Sequence, residues 1–136
     1  MFDASIASEQ EVFDYVIGHL SSQGKQSIRM EEFEFCAYRG ANGAKCAVGV
    51  LIPDEFYNDG MEGDCVDGLI ENFPRECLIT GIIKHKNILN SLQNMHDSLS
   101  TWQNQDSFSY EAQRIADLYN LTIPEIAYTY QPKTKE

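Results

Sequence analysis

The chain has 136 residues, 43% of them hydrophobic and 11% aromatic, and ten Lys+Arg against twenty-one Asp+Glu give a formal charge of −11. That is too apolar for a wholly disordered chain, and long enough for one compact domain over 1–136 with its own core. The acidity disfavours direct nucleic-acid or anionic-membrane binding through nonspecific electrostatics, and no apolar run approaches the roughly 18 residues of a membrane span.

The opening MFDASIASEQE has neither a basic nor an apolar signal region, so a cytoplasmic setting is expected. Ser8-Glu9-Gln10-Glu11 is a capping box, and Val12, Phe13, Val16, Ile17 and Leu20 follow as one helical stripe closed by Gly24. His19 lies beside that stripe as a partly buried helix residue. Residues 33–51 read as a β-hairpin: Asn42-Gly43 tolerates the two positive φ angles of a tight turn, which would set Arg39 opposite Cys46. Arg39 and Lys45 then flank an exposed tip and serve solubility.

Pro53 with Asp54 and Glu55 suggests one helical turn, followed by a loop over 58–63. Asp64 can cap a helix carrying Val66, Leu69, Ile70 and Phe73 inward, with Pro74 closing it. Residues 77–83 suit either a short strand or a buried connector. A third amphipathic helix carries Ile88, Leu89, Leu92, Met95, His96 and Leu99, and Trp102 anchors the loop that follows. Ser107 is the expected cap of a helix running to Tyr119, with Asn120 as a left-handed stop. Thr122-Ile-Pro-Glu125 reads as a second capping box, opening a short helix with Ile126, Ala127 and Tyr130 before a frayed tail over 131–136. The expected class is α+β, four to five helices around a single hairpin, mainly helical.

The acidity is concentrated. Residues 54–76 hold eight acids and one base. Such a run is either a solvated face or a negative surface for a cationic partner, and Asp54, Glu55, Asp59, Glu62, Asp64 and Asp67 are the candidate contacts. With either Gly60 or Gly63 as the turn glycine, the calcium-loop spacing fails.

The cysteines at 36, 46, 65 and 77 lack the paired spacing of a structural zinc site and read as small, semi-buried apolar residues. Glu62, Asp64 and Asp67 disfavour a reactive thiolate at Cys65. His96 and Asp97 are adjacent on one helix and diverge by about 100°, so they are not expected to share a site. There is no phosphate loop, no metal-binding pattern and no implied cofactor. From Arg114 through Ala116 and Asn120 to Ile126 the spacing matches a helix-turn-helix, yet the second helix offers Pro124, Glu125, Ala127 and Thr129 where base-reading side chains belong.

The combination Cys36-Ala-Tyr-Arg-Gly40, Gly43-x-Lys45-Cys-Ala-Val-Gly49, Leu51-Ile-Pro-Asp-Glu55, Tyr57 and Met61-Glu-Gly63, with a later helix holding Leu92-Gln93 and His96-Asp97, resembles a family of small proteins of bacteria and their phages. That family carries no assigned activity, so the resemblance implies a context and no mechanism. In that context, the expected function is a non-enzymatic acidic interaction protein that inhibits or modulates a host or defence protein through its acidic surface, in the manner of a nucleic-acid mimic. A metal-dependent domain or enzyme using Cys36, Cys46 and a histidine is one alternative. A DNA-binding regulator using 107–130 is the other.

Overall fold

The computed structural model describes residues 2–31, 33–73 and 78–128, with the backbone alone at 78–80. Helix α1 (Glu9–Gln23) begins where the sequence places it. Glu11 N–H donates to Ser8 Oγ at 3.1 Å, Ser8 N–H donates to Glu11 Oε1 at 2.9 Å, and the helix ends on left-handed Gly24. Val12, Phe13, Val16, Ile17 and Leu20 are all buried. Two short antiparallel strands follow, β1 (Ile28–Met30) and β2 (Glu34–Cys36), in the register Ile28 to Cys36, Arg29 to Phe35 and Met30 to Glu34.

The class is α+β and mainly helical, with five α-helices and one two-stranded hairpin among the described residues. The hairpin lies earlier than 33–51. Asn42 and Gly43 do adopt positive φ, 58° and 77°, and close a turn from Ala41 to Ala44. The flanking pairing is one bridge, Arg39 opposite Lys45 and not Cys46, one residue out of the expected register. Pairing stops there because Ala47, Val48, Gly49 and Leu51 are all buried and wind into a 3-10 turn.

Residues 53–57 form the expected turn, with Phe56 and Tyr57 N–H both donating to Pro53 O. Helix α2 (Val66–Asn72) buries Val66 and Leu69. Its N-cap residue is Cys65 and not Asp64. The apolar run after Cys77 is neither strand nor connector: it forms α3 (Leu78–Lys84), while Cys77, Arg75 and Pro74 lie outside the described residues. Helix α4 (Lys86–Asp97) buries Ile88, Leu89, Leu92, Met95 and His96, whereas Leu99 is 70% exposed beyond its end. His85, between the two helices, is buried and directs Nε2 at the carbonyls of Ala4 and Ala7, fastening the N-terminal segment.

Helix α5 (Gln105–Leu118) is capped by Asn104, whose Oδ1 accepts from Ser107 N–H at 2.8 Å. Ser107 itself is not the cap. Asn120 has φ 60°, and Leu121 N–H reaches back to Ala116 O at 2.8 Å, the expected left-handed ending. The second capping box is not formed. Gln10 takes both the N–H of Thr122 (3.0 Å) and its carbonyl (2.8 Å), and 121–128 runs without helix across the core, where Tyr128 packs on Phe108. The expected tail at 131–136, and Tyr130, lie outside the described residues. One apolar cluster joins α1, α2, α4 and α5 with Tyr38, Cys46 and Met61, and Trp102 is 7% exposed within it. Among the described residues no helix is long and apolar enough to cross a membrane.

Candidate functional site

The fold gathers three of the six candidate acids around two arginines. Arg29 on β1 donates through Nε to the Arg39 carbonyl (2.7 Å) and through Nη2 to Tyr57 Oη (2.9 Å) and Asp59 Oδ1 (3.1 Å). Arg39 meets Asp54 Oδ1 at 2.6 Å and the Ile52 carbonyl at 2.5 Å, and its guanidinium lies 4.7 Å from the centre of the Tyr57 ring. Arg39 is therefore no solubility charge at an exposed tip: its side chain is 18% exposed. The Arg39 contact holds the Asp54 carboxyl below the usual carboxylate range.

Glu62 occupies the centre. Its side chain is 8% exposed, and its two oxygens accept from consecutive amides, Tyr38 N–H at 2.9 Å and Arg39 N–H at 3.1 Å. Tyr57 Oη donates to the same carboxylate at 2.6 Å, and the Arg29 guanidinium stands 3.7 Å away. Burial, then the hydrogen bond to Glu62, pushes the Tyr57 phenol upward. Tyr38 Oη donates to the Asp64 carbonyl, and burial raises its phenol as well. A carboxylate committed to two backbone amides and a phenol joins the 57–64 loop to the segment that follows β2. It is a structural anion, largely covered by the groups it holds together.

The other acids behave differently. Asp54 and Asp59 keep 84% and 82% of their side chains exposed while contacting arginines that are themselves largely covered. Glu55 is exposed and Asp64 half-buried. Asp67 lies apart from the network on α2 and pairs with Lys86 at 3.1 Å. The arrangement thus presents carboxylate outward and guanidinium inward. Sequence reading located these acids but missed Arg29, Tyr38 and Tyr57, because the partners come from segments distant in the sequence, as Arg29 is from Glu62, and carry no local spacing signal.

A second grouping contradicts an expectation. Cys36, His96 and Asp97 bring a sulfur, a ring nitrogen and a carboxylate oxygen within 4.8 Å of one another. His96 and Asp97 do meet, Nδ1 to Oδ1 at 2.8 Å, because Asp97 is the last residue of α4 and Gln93, one turn earlier, donates to the same oxygen at 3.0 Å. The opposite ring nitrogen is already used: Ser27 N–H donates to His96 Nε2 at 2.8 Å. An amide can only donate, so Nε2 accepts and the ring proton sits on Nδ1, facing Asp97. Ligation through Nδ1 would move that proton to Nε2, against the amide. The donor set therefore does not fit a metal ion, and Nε2 cannot serve as a base for Cys36. The His96 carbonyl also accepts from Gln26 Nε2 (3.1 Å) and Trp102 Nε1 (2.8 Å), so the residue ties β1, α4 and the loop before α5 together.

Cys46 is fully buried, with Sγ accepting from Gly49 N–H at 3.2 Å and burial pushing its thiol up to about 12, while Cys65 is exposed and not semi-buried. The helix-turn-helix reading loses its second helix, since 121–128 is not helical. No family model, no curated protein and no solved structure matches this chain.

Proposed function

We propose that the protein is a non-enzymatic interaction protein whose 54–67 surface binds the basic face of a protein partner. One observation carries the reading: Asp54 and Asp59 are more than four-fifths exposed over recessed arginines, so the charge offered to solvent is negative although each acid has an internal counter-ion. Exposed ion pairs of this kind are worth little to the fold and exchange readily for a partner's cations. Glu62 holds the loop that displays them. Set in the phage context that the resemblance implies, the partner is a host or defence protein whose basic surface ordinarily meets phosphates.

The test is affinity capture from host cells at low and high salt, comparing the native chain with a Glu55→Lys/Asp64→Lys variant. Neither of those carboxylates makes an ion pair or side-chain hydrogen bond among the described residues. The reading expects proteins with basic surfaces, retained at low salt, released at high salt and absent from the variant. Identical recovery on both chains would overturn it.

A further inference from the structure

We infer that the tip of the β1–β2 hairpin is the apolar anchor of that interface, seating in an apolar slot rimmed by Lys or Arg on the partner. The inference rests on the acidic-surface reading and adds where its apolar contact lies. Met30 is 67% exposed and Phe33 71%, two large apolar side chains three residues apart where β1 ends and the chain returns to β2. Aromatic and methionine side chains of this kind are enriched in the covered centres of protein interfaces.

The chemistry around them selects the occupant. Glu31 and Glu34 flank the tip, both exposed, and with an overall charge of −11 they repel a second copy of this chain. A cationic rim around an apolar pocket complements them. The tip is also held at its base: Arg29, the residue before Met30, is bound to Arg39, Tyr57 and Asp59, which joins the hairpin directly to the acidic loop. A pinned base presents Met30 and Phe33 without a large ordering cost on binding.

Two probe peptides of equal charge separate the contributions, one alternating Leu and Lys and one of Lys alone, each titrated into the isotopically labelled full chain. The native chain should prefer the Leu/Lys peptide by about tenfold, as expected for covering two large apolar side chains, with shifts at residues 30–35. A Met30→Ser/Phe33→Ser variant should lose that preference and keep its affinity for the Lys peptide. Equal affinity of the native chain for the two peptides, or a preference that survives in the variant, overturns the anchor and leaves the acidic surface standing. If the Glu55→Lys/Asp64→Lys variant binds both peptides unchanged, the acidic-surface reading falls, and the assignment of the tip as that interface's anchor falls with it.

Discussion

The amide of Ser27 donates to His96 Nε2 across 69 residues of sequence, and this single bond fixes the tautomer of a fully buried ring. The ring's other nitrogen then has its proton directed at Asp97. Nitrogen-15 NMR of the histidine side chains should show a pyridine-like Nε2 and a pyrrole-like Nδ1 for residue 96. His96→Ala should destabilise by about 2–4 kcal/mol, since it leaves the Ser27 amide buried and unpaired and opens a cavity beside Trp102.

Glu62 is the acid whose removal the fold should feel. Glu62→Gln keeps the shape but turns one acceptor into a donor that faces a backbone N–H, that of Tyr38 at one oxygen or that of Arg39 at the other. A loss of about 1–3 kcal/mol in urea unfolding is expected. Glu55→Gln, on an exposed side chain, should stay within about 0.5 kcal/mol.

Gly49 lies beneath the Tyr38 carbonyl so closely that a Cβ would overlap it. Backbone must move to admit one. Gly49→Ala should therefore cost about 3 kcal/mol by thermal or urea unfolding, as overpacking against backbone does, even though Ala is the milder residue for a helical turn.

His19 gives the stability a pH dependence. Its ring is partly buried and lies 3.0 Å from the Lys45 carbonyl, and desolvation sets its pKa below 6.5. The unfolded chain binds this proton more readily than the folded one. The contribution is therefore complete above pH 6.5 and is lost as the pH falls from there toward the folded value. His19→Gln keeps a donor for the carbonyl and removes the titration. The melting temperature of the native chain should fall more between pH 7 and pH 5.5 than that of the variant.

The thiols should divide by burial. With its thiol raised to about 12 and no exposed surface, Cys46 should resist iodoacetamide in the native state and label only on unfolding, whereas exposed Cys65 should label without unfolding. Peptide mass spectrometry reads both.

Local chemistry was readable from the residues and tertiary chemistry was not. Ser8 with Glu11, Asn42 with Gly43, and Asn120 with Leu121 each encode their geometry within a few residues, and each adopts it. Strand β1 escaped notice because Arg29, a charged residue in the middle of three, is accommodated by the Arg39 carbonyl and by Tyr57, Asp59 and Glu62 from a distant loop. Thr122 carries a valid cap signature, yet Gln10 claims its amide from 112 residues away. The acidic segment was visible as composition. Which of its members is buried was not, because Glu62 differs from Asp59 only in what the folded chain sets around it.

The most direct test of the central claim maps the contact itself: the labelled chain is titrated with an oligolysine peptide at low salt and again at high salt. The account predicts amide shifts concentrated in residues 54–67, with Glu62 and its two amide partners little changed, and all shifts collapsing at high salt. Shifts spread evenly over the remote acids Asp14, Asp106 and Asp117 would contradict it, because the peptide would then be sensing net charge alone.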